Sequence, residues 1–116
     1  MNDSNKTLHS MEMTHTWVEI FKFQPPGGVA EYHVTIRVTD SRLTFVEQAE
    51  AVQTAFYALL DDRLKGAVPV FTRYFLSDAA NQADLLLGLM PENPDCPLSI
   101  VEQAPLNHPK LALWAY

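Results

Sequence analysis

At 116 residues, 47% of them apolar and 19% charged, the chain has the size and composition of one folded domain and not of a disordered protein. Eight Lys and Arg against fourteen Asp and Glu leave a formal charge of -6, which argues against a surface that follows nucleic-acid phosphates. Cys96 is the single cysteine, so an internal disulfide and a cysteine-based zinc cluster are excluded and a reducing compartment is favoured.

The first residues of the chain are polar and carry no targeting signal. Residues 1–15 lack the apolar stretch of a signal peptide, and no apolar run in the sequence reaches the length of a membrane helix. We therefore predict a flexible tail over residues 1–15, a single domain over residues 16–116, a cytoplasmic location and no membrane partner.

Two strand-like segments follow. Residues 17–23 are rich in aromatic and β-branched side chains, whereas residues 32–38 alternate apolar with polar ones. The sequence PPGG at residues 25–28 interrupts them and supplies backbone suited to a loop. Together they predict a β-hairpin.

The period of the apolar residues then changes to that of a helix. A single helical stripe is formed by Phe45, Ala49, Val52, Phe56 and Leu59. Thr44 and Glu47 have the spacing of a capping box, and Gly66 lies where a helix commonly ends. We predict a helix over residues 45–64.

The second half of the chain predicts one more helix between strands. Residues 67–78 are apolar on both faces, which is typical of a central strand. Ser77 or Asp78 can cap a helix over the following AANQADLLLGLM, and a proline-rich loop leads to strands at residues 98–103 and 110–115. The predicted order is ββαβαββ, an α+β domain with two helices on one face of a mixed sheet.

This order and three segments resemble the RidA family, also called YjgF or L-PSP. The segments are TFVEQAEAVQTAFYALL, VFTRYFLSDAANQADLL and CPLSIVEQAPLNHPKLALWAY, which look like the family's long helix, its strand ending in Phe-Leu-Ser-Asp and its closing hairpin. The resemblance covers residues 17–116. It implies a chorismate-mutase-like fold, a homotrimer and small-molecule clefts between subunits.

The residues of the family's deaminating members are missing. In those members an Arg at the start of the penultimate strand binds the carboxylate of a 2-imino acid, but that place falls near Pro97, and no Arg stands nearby. The family's Cys aligns with Ser99, and its acidic residue in the last strand aligns near Trp114, which cannot transfer a proton. We therefore expect the deaminase residues to be absent.

Arg73 is a candidate for a ligand contact. It lies between Phe71 and Phe75, and a guanidinium among apolar residues needs a partner. Glu102 is the natural structural partner, and a ligand anion is the alternative.

Strand parity divides the remaining candidates. In a regular strand Ser99, Val101 and Gln103 share one face, opposite Glu102 and its apolar neighbours. The face with Ser99 and Gln103 is the wall of a ligand cleft or a polar part of a subunit interface. We take Arg73, Ser99, Gln103 and Glu102 as the candidate ligand-binding residues.

Other chemistry is weakly supported. Cys96 and His108 flank the same predicted hairpin, but nothing orients the imidazole for a thiolate pair. The histidines have no metal-ligand spacing, and no glycine-rich phosphate loop is present. We expect no cofactor and no metal.

The sequence supports three functional hypotheses. The first is a RidA-like homotrimer that binds a small metabolite without the deaminase residues. The second is an enzyme that hydrolyses an imine or enamine, or a related lyase, with a rearranged site. The third is the structural half of a tandem protein, in which a second copy supplies the chemistry.

Overall fold

The computed structural model describes residues 6–90, 96–103 and 109–116. The elements in chain order are β1 (Lys6–Met13), β2 (Thr16–Phe23), β3 (Glu31–Val38), α1 (Phe45–Asp61), β4 (Thr72–Leu76), α2 (Ala79–Gly88), β5 (Leu98–Glu102) and β6 (Leu111–Ala115). None of the helices in these ranges is long and apolar enough to cross a membrane.

The strands form one six-stranded mixed sheet in the order β1-β2-β3-β6-β4-β5. Four of the neighbouring pairs are antiparallel, and β4 with β5 is parallel. Helix α1 packs on β2, β3 and β6, and α2 packs on β4 and β5. The predicted α+β class, with both helices on one face of a mixed sheet, is confirmed.

The core lies between the sheet and α1. The predicted stripe of α1 is buried, from Phe45 to Leu59, and it meets the inward side chains of the middle strands. Those strand residues include Val18, Ile20, Val34, Ile36, Tyr74, Leu76, Leu111 and Leu113, all at most 3% exposed. Each inward residue alternates with a more exposed one, so the strands have two different faces.

The beginning of α1 is held by side chains as predicted. Thr44 Oγ1 accepts a hydrogen bond from the Glu47 backbone, and the Glu47 carboxylate accepts one from the Thr44 backbone. The hydrogen bond from Thr44 N–H holds the pKa of Glu47 below its ordinary value. The helix ends at Asp61, earlier than the predicted residue 64, and turns lead from there to Gly66 at φ +93°.

The predicted flexible tail over residues 1–15 is wrong for Lys6–Met13. This segment is strand β1, which pairs with β2 from Lys6↔Phe23 to Met13↔Thr16. An edge strand has one free side, so its side chains can be largely polar without a cost. The polar composition therefore did not distinguish an edge strand from a tail.

The predicted closing hairpin is also wrong. Strands β5 and β6 are not neighbours, because β4 lies between them and pairs with β5 in parallel and β6 in antiparallel. The predicted strand over residues 67–78 is shorter, and only Thr72–Leu76 pairs in the sheet. It is internal, as expected, with a neighbour on either side.

Candidate functional site

The sheet face opposite the helices, here called the open face, carries most of the predicted site. The register places Arg73 between Trp114 of β6 and Ser99 of β5. Residues opposite each other in neighbouring strands point to the same side of a sheet. The structure therefore brings together Arg73 and Ser99, which are distant in sequence, with an aromatic side chain beside them.

Arg73 is half-buried, and its charge has no compensating carboxylate among the described residues. Its guanidinium carbon lies 5.3 Å from the ring centre of Phe71 and 6.0 Å from that of Trp114. Its Nε is buried and has no hydrogen-bond partner in the described ranges. Aromatic faces attract a cation, but they do not accept the in-plane hydrogen bonds of a guanidinium. The guanidinium is thus held in place by the rings, and its Nε–H donor has no acceptor among the described residues.

The predicted pair between Arg73 and Glu102 does not form. Glu102 lies on the helix side of β5, where its Oε1 accepts a hydrogen bond from the Ala79 backbone at 3.0 Å. Ala79 is the first residue of α2, so Glu102 caps that helix from another strand. The Asp78 side chain, one of the predicted caps, makes no such bond. Glu102 is therefore a helix cap and lies on the face away from Arg73.

Gln103 lies just beyond the end of β5. Its backbone N–H donates to the Leu76 carbonyl at 3.0 Å, which extends the parallel pairing by one residue, and the residue is exposed. The alternation of β5 assigns it to the open face with Ser99. Ser99 lies near the start of β5, so Ser99 and Gln103 are at opposite ends of the strand.

A cluster of rings that was missed in the sequence continues the open face. The His33 ring centre is 4.8 Å from that of Tyr116 and 5.8 Å from that of Trp114. The Tyr116 hydroxyl donates a hydrogen bond to Glu31, and this bond raises the pKa of Tyr116. His33 is half-buried against these rings.

The clustering follows from the register, which the sequence pattern does not contain. His33 and Tyr116 belong to strands that become neighbours only when β6 enters the sheet beside β3. The available signal was the alternation of β3, which places Glu31 and His33 on the same side as Thr35 and Arg37. Without the position of β6, that pattern describes only a polar face.

These groups define what the open face can do. A half-buried cation with unused donors, bordered by aromatic rings and a serine, suits a small anion with an apolar or planar part. Within the part of the chain that the structure describes, no three His, Cys, Asp or Glu side chains converge to hold a metal ion. Cys96 lies near Thr72, with 4.0 Å between Sγ and Oγ1, and His108, its proposed thiolate partner, lies outside the described residues.

Comparison with known proteins supports the fold. The chain is similar to a crystal structure from Salmonella typhimurium that is provisionally described as a translation initiation inhibitor, with 14% identity and a TM-score of 0.68. The match covers 94% of this chain and 95% of that chain. No protein-family model and no curated protein matches. The protein has an α+β fold of the chorismate-mutase-like type.

Proposed function

We propose that the protein is a RidA-like, cytoplasmic homotrimer that binds a small carboxylate or carbonyl metabolite in clefts between its subunits. The provisional name of the similar structure is one that is used for members of that family. The site residues of this chain are Arg73 and Ser99, with Gln103 at the end of the same strand. The observation that carries the proposal is the charge of Arg73 on the open face, which no carboxylate compensates within residues 6–90, 96–103 and 109–116.

The sheet face that bears no helix among the described residues supports the assembly. Helices cover one side of the sheet, while Trp114, Phe71 and Phe75 are half-buried on the other side and Phe21 is 39% exposed there. Large apolar side chains on an exposed sheet face commonly mark an interface. A subunit packed on this face would turn the surroundings of Arg73 into a cleft and strengthen its attraction for an anion.

The anion would be held differently from the substrate of the deaminating members. Their arginine enters from the start of the penultimate strand, where this chain has Pro97. Arg73 approaches from the adjacent strand β4, and Ser99 stands beside it with a hydroxyl that can donate or accept. A carboxylate could receive two guanidinium hydrogen bonds, with its carbonyl or hydroxyl group turned toward Ser99.

Two measurements test this proposal. Light scattering after gel filtration should give about three times the 13.1 kDa of one chain, and a monomer would contradict the trimer. Pyruvate should then bind the wild-type protein in a calorimetric titration. An Arg73→Gln variant should lose affinity by about tenfold or more, since a charge-assisted hydrogen bond is removed.

The matched control is Arg37→Gln. Arg37 is an exposed arginine on the same open face, opposite Trp17 and Ala112, so its loss changes the net charge equally. Its affinity for pyruvate should stay within about twofold of wild type, because an exposed charge is screened. Equal affinities of Arg73→Gln and wild type would contradict the binding role of Arg73.

Imine or enamine hydrolysis is the second candidate, and the cluster around Tyr116 favours it. The Tyr116 phenol carries a proton at neutral pH, and Glu31 is a carboxylate within hydrogen-bonding distance of it. An assay that generates 2-imino acids and follows their disappearance would detect it. A rate equal to the uncatalysed one would exclude this activity, and a rate that survives Tyr116→Phe would exclude the phenol as its proton donor.

A further inference from the structure

A cavity lies beside the end of α1 and the start of β3, and Arg73 is not among its lining residues. It has a volume of about 610 Å³ and is bounded by the end of α1, the segment at residues 65–70 and the residues before and at the start of β3. Its inner wall is apolar and includes Val34, Phe56, Leu60 and Ala115. Cavities of this size and lining are typical of small-molecule sites.

The rim of this cavity carries apolar side chains in water. Val29 and Val68 are 84% and 76% exposed, the highest values among the large apolar residues in the described ranges, and Val70 is 58% exposed. All three line the same cavity. A ligand that covers exposed apolar groups around an apolar cavity removes them from water, and this favours its binding.

The rim also carries positive charge. Arg63 and Lys65 line the cavity, both are exposed, and neither forms an ion pair with any described residue. Among the described lining side chains Glu31 is the one carboxylate, and one of its oxygens accepts the Tyr116 hydroxyl. The cationic side chains at this rim therefore outnumber the carboxylate side chain, although the formal charge of the chain is -6.

The positions of these groups match the shape of an amphiphile. The apolar wall lies inward, and the long side chains of Arg63 and Lys65 come from the turns that follow α1. A hydrocarbon part would remove the inner wall and the valines from water, while an anionic head would remain at the exposed rim. A neutral apolar molecule would leave the cations unused, and an amphiphilic cation would be repelled by them.

We propose that this cavity binds a small amphiphilic carboxylate, with its hydrocarbon part against the apolar wall and its head group near Arg63 and Lys65. The site is separate from Arg73 and Ser99, so it stands or falls independently of the first function proposed above, although it shares Glu31 and Tyr116 with the second. Its walls come from one chain.

The test uses octanoate as the probe, followed by changes in the amide NMR signals of the full chain. Octanoate should shift the signals of Val68, Val70 and Ala115 in a saturable way. Acetate carries the head group alone and should cause no shift. Heptyltrimethylammonium has the same hydrocarbon chain with the opposite charge and should bind about tenfold more weakly, because the rim repels it. Equal binding of the two amphiphiles would overturn the role of the rim cations.

Two variants locate the site. Val68→Asp places a carboxylate at the rim and removes an apolar contact, so octanoate affinity should fall by about tenfold. Arg63→Gln should lower it by about two- to fivefold, as expected for an exposed charge. Leu85→Asp, at an exposed apolar position of α2, and Arg73→Gln should both leave octanoate binding unchanged.

The outcomes separate a ligand from other occupants. Octanoate affinity that is insensitive to Val68→Asp would overturn the proposed site. A mass that rises with protein concentration, and falls back in Val68→Asp without any octanoate shift, would mean that a second copy covers the valines, which also overturns the proposal. Loss of pyruvate binding in Arg73→Gln, with octanoate binding retained, would support both sites as distinct.

Discussion

The two faces of the sheet come from the same strands but differ in how completely their side chains are packed and hydrogen-bonded. On the helix-covered face, alternate residues of β2, β3 and β6 are buried against α1. On the open face, the intervening residues include several half-buried rings and a cation whose Nε has no hydrogen-bond partner in the described part of the chain. The first face accounts for the stability of one chain, whereas the second has unused binding capacity.

The difference shows that the same alternation can serve packing and recognition at once. In β6, Leu111, Leu113 and Ala115 are buried, and Ala112 and Trp114 between them face the other way. A change on one side of the strand should therefore affect folding, and a change of its neighbour should affect association or binding. The following predictions test this separation.

The largest effect should come from Leu113→Ala. Leu113 is 0% exposed and lies in the middle of the sheet, so its truncation should lower the free energy of unfolding by about 3 kcal/mol through lost burial and a cavity. Urea denaturation at low protein concentration measures this. Trp114→Ala, its neighbour on the open face, should cost less than half as much; an equal loss would mean that the two faces are not separable.

A buried amide on the helix side should be the next most sensitive position. Gln48 is 0% exposed, its Nε2 donates to the Leu43 carbonyl at 2.9 Å, and its Oε1 accepts from the Lys110 backbone at 2.8 Å. Gln48→Met should lower the free energy of unfolding by about 2 kcal/mol, because the partly buried backbone groups of Leu43 and Lys110 lose their partners.

Gln53 supplies the matched control for that substitution. It lies further along the same helix, and its Nε2 is buried with no hydrogen-bond partner among the described residues. Gln53→Met should therefore cost less than half as much as Gln48→Met in the same denaturation series. Equal losses of stability would show that the position in the helix, and not the hydrogen bond to the Lys110 backbone, determines the loss.

The capping box of α1 should have a smaller effect, and part of it should depend on pH. Thr44→Ala should cost about 1 kcal/mol in the free energy of unfolding. Because the folded pKa of Glu47 lies below its ordinary value of 4.5, its contribution is present above that pH and is lost as the pH falls through the lowered folded value. As the pH is lowered from about 5 to about 3, the free energy of unfolding of Glu47→Gln should therefore fall less than that of wild type. An unchanged acid dependence would contradict the cap.

The smallest effect should be the coupling between Arg73 and Glu102. The two side chains lie on opposite faces, so a double-mutant cycle of Arg73→Met and Glu102→Gln should give a coupling energy below about 0.5 kcal/mol. Removing the Arg73 charge alone should be close to neutral for the folded monomer. A coupling energy of about 1 kcal/mol or more is the size found for an exposed ion pair. That result would mean that Arg73 and Glu102 do form the ion pair expected from the sequence.

Local patterns in the sequence determined the elements whose signals lie within a few residues. The capping box and stripe of α1, the β2–β3 hairpin and the assignment of Ser99 and Glu102 to opposite faces of β5 all follow from periodicity and side-chain chemistry. These features depend on neighbours along the chain, which is why they could be predicted without a structure.

Only the tertiary structure decided which strands and side chains meet. The pairing of β1, the insertion of β4 between β5 and β6, and the hydrogen bond from Ala79 to Glu102 all join distant parts of the chain. Several arrangements satisfy the same alternation, and the choice among them depends on packing of the whole sheet against α1 and α2. The sequence determined that an arginine stands in a strand of apolar residues, and the fold determined that Phe71, Trp114 and Ser99 surround it.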